Sequence, residues 1–181
     1  GLANALARRG RLAEADEPLA RASAIADAAG DPILVGRARI ETARHLWRKG
    51  DDLARAHRLA KEAEARVFPD GPPPLRMLCL FVLGAISSDL DRHQESAALH
   101  RRELEIVLAQ GDRFAEATTR ANLAVALLNQ LEAEGRPPSP EAIQHMQDAL
   151  GAAVASGNRA REASLRRELG DLLEGNDALE Q

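Results

Sequence analysis

The 181 residues contain no tyrosine, and with one tryptophan and three phenylalanines the aromatics come to 2%, so a core here is built without large rings. The 45% hydrophobic content rests mostly on Ala and Leu, small and unbranched side chains that suit closely approaching helices. β-Branched runs are scarce while Ala, Leu, Glu and Arg dominate, which predicts an all-α protein. Cys79 is the only cysteine, which excludes an internal disulfide and a cysteine-rich zinc site and fits a cytoplasmic location. No run approaches the roughly 18 apolar residues of a membrane helix, and no signal-peptide pattern opens the sequence, so no membrane partner is expected. Positive charge is not in excess either. With 24 Lys and Arg against 28 Asp and Glu, the formal charge is −4 and the pI near 5.8, which argues against direct nucleic-acid binding by phosphate neutralisation alone.

Catalytic patterns are missing as well. No GxxxxGK[ST] phosphate cradle occurs, and no HExxH or ExxH pair. Of the five histidines, His45, His57, His93, His100 and His145, only His93 and His100 stand seven apart on one helix face, a spacing that metal helices rarely use. Cys79 lies in the most apolar run and reads as a buried small hydrophobe. No enzyme activity, cofactor or metal is expected.

What the chain does have is repetition. The stretch from Leu75 to Asp112 is one uninterrupted copy of a unit of two helices, and the rest of the chain repeats it in edited form. Closing glycines at Gly30, Gly71, Gly111 and Gly157 are 41, 40 and 46 residues apart. Thirteen residues after each stands a small residue: Ala43, Gly84, Ala124 and Gly170. Fifteen before each stands another: Ala15, Ala56, Ser96 and Ala142. Crossing helices demand small residues at their contact, and the closing Gly is expected to supply a left-handed turn after each second helix. Asp31-Pro32 and Asp112 have the form of helix starts, Pro18 is expected to kink the second helix of the first unit, and the last helix is read from Arg159 to about Glu174. A loop, 135–140, lengthens the fourth unit.

The expected fold is therefore a right-handed superhelical solenoid of antiparallel helix hairpins, about four and a half repeats long. Its units cover about 1–30, 31–71, 72–111, 112–157 and 158–175 of a single domain 1–175, and a polar tail follows at 176–181. Gly1 in place of an initiating Met, and first residues that read as mid-helix, lead to the expectation of upstream sequence.

These residues resemble the tetratricopeptide repeat family: Ala3-Asn4-Ala5-Leu6 to Gly10 with Ala15, Leu83-Gly84 with Ser96, Asn122-Leu123-Ala124 with Ala142, and Leu169-Gly170 with Leu173. The repeat of about 40 residues is similar to the longer-helix variety of kinesin-light-chain-like proteins and bacterial regulators. Asp91 stands where that family often has Gly, and His93 and His100 where it has larger apolar residues. One extra residue lies between Ala43 and Ala56, which leaves the facing of Arg44, Trp47 and Arg48 open by one position.

The resemblance implies a concave surface lined by the first helix of each unit that receives a protein or peptide. It would present Arg37, Arg44, Trp47 and Arg48 in the second unit, Phe81, Ala85 and Ser88 in the third, and Asn122, Val125 and Asn129 in the fourth. Asn122 matches an asparagine that bonds a ligand's backbone in such repeats. Two readings of the arginine-rich stretch stand: arginines and indole hold an acidic peptide, or Trp47 packs between helices and the arginines form a solvated face. Arg39, Arg120 and Arg166, four residues before Ala43, Ala124 and Gly170, are either a ladder for an anion or stems laid over the core with solvated heads. The functional expectation is a non-catalytic protein or peptide interaction module; the alternative is a sensor or regulatory repeat segment of a larger bacterial transcriptional or signalling regulator. Uncovered end repeats would also permit a homodimer through Leu2 and Leu6 or through Leu165, Leu169 and Leu172.

Overall fold

Helix starts written in the sequence open helices in the computed structural model, which describes residues 15–68 and 70–179 and side chains as far as residue 173. Asp31 accepts from the amides of Ile33 and Leu34, Asp112 from Ala115 and Ser139 from Ala142, each satisfying a donor that the first helical turn cannot. Pro32 and Pro140 follow at the first helical turn, where a missing N–H costs nothing. The helices are α1 (Asp16–Ala29), α2 (Pro32–Lys49), α3 (Leu53–Val67), α4 (Pro73–Asp89), α5 (His93–Gln110), α6 (Arg113–Ala133), α7 (Pro140–Ala155) and α8 (Arg159–Leu179). Among the described residues there is no strand. The protein is all-α.

The helix ends follow a shared device. At Gly50, Asp91, Gly135 and Gly157 the chain turns left-handed, with the residue's own N–H and the next one both bonding back to the last turn of the helix. Gly30 and Gly111 are left-handed as well, at φ 68° and 67°. Asp91 adopts φ 58° despite its side chain, in the position where the resemblance leads one to expect Gly.

Gly71 corrects the expectation. It is not left-handed, and α3 instead ends on Phe68 in extended conformation. Gly71 is buried against the end of α3, where a Cβ would lie 2.5 Å from the Val67 carbonyl oxygen. The glycine serves close approach, not a turn. Pro18 also departs from expectation: α1 opens at Asp16, so Pro18 falls in its first turn, where the ring breaks no intrahelical bond. The last helix runs on to Leu179, past Glu174. The extra residue of the second unit sits in the loop before α3, where Asp52 takes φ 25° and caps Arg55, so the register of α2 through Lys49 is undisturbed.

The chain divides into two compact units, residues 1–86 and 87–181, with the boundary inside α4. In the first unit α2 packs on both α1 and α3. Ala43 and Ala56, one from each small-residue column, are completely buried. Gly36 lets α2 and α3 approach: a Cβ there would lie 2.6 Å from Val67 Cγ2. In the second unit α6 packs on α5 and α7, and α7 on α8. Here Ala124, Ser96 and Ala142 are the fully buried members of the columns, and Ala117, Ala121, Met146, Ala149 and Leu165 fill the core around them. The helix contacts are made largely by alanine, which accounts for the shortage of rings.

The matches at Ala3 to Gly10, the dimer candidates Leu2 and Leu6, and the last residues of the expected tail, 180–181, lie outside the described residues.

Candidate functional site: the basic face of α2

Spacings of seven and four residues place Arg37, Arg44 and Arg48 on one face of α2, opposite the buried Val35 and Leu46, with the buried Ile40 at the edge of the stripe. Arg44 pairs with Glu41 on its own helix. Arg37 and Arg48 are exposed and make no ion pair among the described residues. Arg44 and Arg48, with Glu41 and His45, line one wall of a groove of about 500 Å³ whose other wall is Ala15, Pro18, Leu19 and Ala22 of α1.

Trp47 flanks this stripe and meets Phe81 of α4 edge-on, with centroids 6.2 Å apart and planes at 79°. Both rings are half-buried, as are Met77, Leu78 and Ala85 beside Phe81 on α4. The first unit thus sets a basic stripe next to a part-open apolar surface. The indole packs against Phe81 across the helices and stays half-buried beside the arginines in the sequence of α2.

The remaining expected surface residues belong to the second unit. Ser88 is half-buried in the last turn of α4. Asn122, Val125 and Asn129 share one face of α6, where Val125 is 39% exposed and both asparagines are half-buried. None of the three residues carries a charge.

The arginine column does not form an open ladder. Arg39 reaches Asp27 of α1 at 2.8 Å and Glu62 of α3 at 3.5 Å, and Arg120 reaches Asp148 of α7 and Glu116 of its own helix, both at 2.9 Å. Arg166 pairs with Glu162. The heads of Arg39 and Arg120 stitch neighbouring helices together, whereas that of Arg166 stays largely solvated on its own helix. Glu62 and Asp148 each precede a closing glycine by nine residues, while Arg21 and Arg102 hold the equivalent positions in the other units.

Other polar groups missed in the sequence also tie helices together. His45 Nε2 donates to Asp16 Oδ1 at 2.6 Å, with Lys49 Nζ 3.1 Å from the other oxygen, which pins the start of α1 to α2. Hydrogen bonds from His45 and then Lys49 hold the Asp16 carboxyl below its ordinary value, and Asp16 raises Lys49 in turn. In the second unit the buried Glu103 carboxylate accepts from His100 Nδ1 at 2.8 Å and from Thr119 Oγ1 at 3.0 Å, joining α5 to α6. Burial, followed by the charge of Arg120, lowers His145, whose Nδ1 accepts from that arginine at 3.4 Å. Cys79 is fully buried, and burial pushes its thiol up to about 12, so it stands as the neutral thiol at ordinary pH. Among the described residues no three His, Cys, Asp or Glu side chains are grouped to hold a metal ion, and no helix is long and apolar enough to cross a membrane.

The chain matches no protein-family model and no curated protein sequence.

Proposed function

We propose that the protein is a non-catalytic interaction module of tetratricopeptide-like hairpins, and that the α2 face of the first unit receives an acidic segment of a partner protein. One observation carries this reading: Arg37 and Arg48 stand exposed and, among the described residues, without an ion-pair partner, in line with Arg44 and beside the half-buried Trp47 and Phe81. Elsewhere on the first helices, Arg39 and Arg120 are neutralised by carboxylates of neighbouring helices. Guanidinium groups left without partners next to apolar surface suit a ligand that brings both carboxylates and a hydrophobic side chain. The repeat period and the buried small-residue columns support the solenoid part of the reading, because such hairpins expose their first helices as an extended surface.

Trp47 is the only tryptophan, so its fluorescence reports on this face without labelling. An amphipathic peptide with Glu on one side and Leu and Phe on the other should shift Trp47 emission and bind in a salt-sensitive manner. Arg44→Glu with Arg48→Glu should weaken it by about 10- to 100-fold while circular dichroism stays unchanged. Equal affinity for wild type and variant would remove the groove from consideration.

A further inference from the structure

Between α1 and α3, over the side of α2 that carries Arg39, Thr42 and Leu46, the first unit holds an open channel of about 630 Å³. Leu19 and Ala20 stand on its α1 wall, and Arg55, Leu59 and Glu62 on its α3 wall. Arg44 and Arg48 of the proposed partner face do not line it. The repeat register shows what keeps it open. Ala20 precedes Gly30 by ten residues as Arg101 precedes Gly111, and Arg55 precedes Gly71 by sixteen as Glu141 precedes Gly157. In the second unit Arg101 and Glu141 join α5 to α7 through a 2.7 Å ion pair. The first unit has a methyl group at one of these positions and a cation at the other, so no such strap crosses its channel.

Besides His45, three carboxylates (Asp16, Asp51 and Glu62) and three cations (Arg39, Lys49 and Arg55) line the channel, so it favours neither sign of charge. They are unevenly engaged. Arg39 is held by Asp27 at 2.8 Å, and Lys49 by Asp16 at 3.1 Å and Asp51 at 3.7 Å. Two groups on α3 keep bonding capacity. Arg55 is exposed and makes no ion pair among the described residues. Glu62 is approached at 3.5 Å by Arg39, whose guanidinium lies closer to Asp27. Seven residues separate them on one face of α3, a distance of about 10 Å along the helix axis, with Leu59 between. Leu19 and Leu46 make the middle of the channel apolar from the other two helices.

The geometry points to a site for a small linear zwitterion, its carboxylate on Arg55, its ammonium on Glu62 and its apolar body against Leu19, Leu46 and Leu59. Two kinds of molecule carry opposite charges about 10 Å apart: an ω-amino acid with a long methylene chain, and a free tripeptide with apolar side chains, extended at about 3.3 Å per residue. Both end contacts are charge-assisted hydrogen bonds, and a balanced lining receives a ligand of zero net charge without repulsion. The channel's volume is within the range that small ligands occupy.

An NMR titration of the whole chain with ω-aminooctanoate and with alanyl-leucyl-alanine tests the site. Wild type should bind at least one of them with a Kd below about 1 mM, and the tighter binder identifies the source. Removing the carboxylate (octylamine, or the tripeptide amide) or the ammonium (octanoate, or the acetylated tripeptide) should each weaken binding about tenfold. Arg55→Gln should abolish the penalty for removing the carboxylate and keep the penalty for removing the ammonium, and Glu62→Gln should do the reverse. The penalty that each variant keeps shows that its channel is folded. Arg44→Glu with Arg48→Glu should bind the zwitterion as the wild type does, which separates failure of this site from failure of the α2 face. No binding of either zwitterion at about 10 mM, singly charged analogues that bind as well as the zwitterion, or variants in which both penalties persist would each overturn the inference.

Discussion

Asp91 holds a conformation that its side chain disfavours, at φ 58°, because the turn between α4 and α5 requires a left-handed residue there. The other such helix ends use Gly50, Gly135 and Gly157. Asp91 is almost wholly exposed, and its contact with His93 at 3.9 Å is too long to offset backbone strain. Asp91→Gly should therefore stabilise the protein by about 1 kcal/mol, read as a higher denaturant midpoint with an unchanged slope. A lower midpoint would mean that the carboxylate contributes more than its geometry suggests. The sequence revealed Asp91 because a position in a repeat can be compared with its equivalents. It could not reveal Gly71, which holds a column position for a different reason: close approach to Val67 looks the same in sequence as a left-handed turn.

Between elements, backbone proximity and charge both act. The α2–α3 contact depends on Gly36, and Gly36→Ala should cost about 1–3 kcal/mol because the new methyl meets Val67 Cγ2 at 2.6 Å. Val67→Ala is costly alone but should recover part of that loss when combined with Gly36→Ala, and strictly additive costs would show that the two positions do not meet. The α1–α2 contact depends on Asp16. Its carboxyl is held below the ordinary 3.8 by His45 and Lys49, so its stabilising contribution is present above that pH and fades as pH falls through the lowered value. Hydrogen exchange in α1 should speed up as pH falls below about 3.8 relative to α3, and Asp16→Asn should show the faster exchange already at neutral pH. Equal acid response in variant and wild type would exclude this anchor. The helices themselves were legible in the sequence, since caps at Asp31 and Asp112 and breaks at Gly50, Gly111 and Gly157 are local signals. Cross-helix partners such as Asp16 with His45, 29 residues apart, carry no local pattern. The Arg39–Glu62 and Arg120–Asp148 pairs are half legible in the sequence, because the arginines form a column whereas the carboxylate register holds in only two of the four units.

At the scale of the whole molecule, the helix contacts are made by alanines and small residues, and a few charges pair across them: Arg39 with Asp27 and Glu62, Lys49 with Asp16, Arg101 with Glu141 and Arg120 with Asp148. On α2, Arg37 and Arg48 make no ion pair among the described residues, and Arg44 pairs with Glu41 of its own helix. The sequence located this stripe from the repeat register, and α2 keeps the register through Lys49 because the extra residue is absorbed in the following loop. What the sequence left open was the role of Trp47, because an indole on a helix face reads alike whether it packs or waits for a ligand; the edge-on contact with Phe81 supplies the packing, and its half-open position beside the arginines supports the ligand. The most direct test is a calorimetric titration of wild type and the Arg44→Glu, Arg48→Glu variant, each against an acidic amphipathic peptide and its Lys-for-Glu counterpart. The account predicts a reversal of preference: wild type binds the acidic peptide, the variant loses it by about 10- to 100-fold and gains the basic one. An unchanged preference in the variant would contradict it, and the α2 face would then be only a solvated surface.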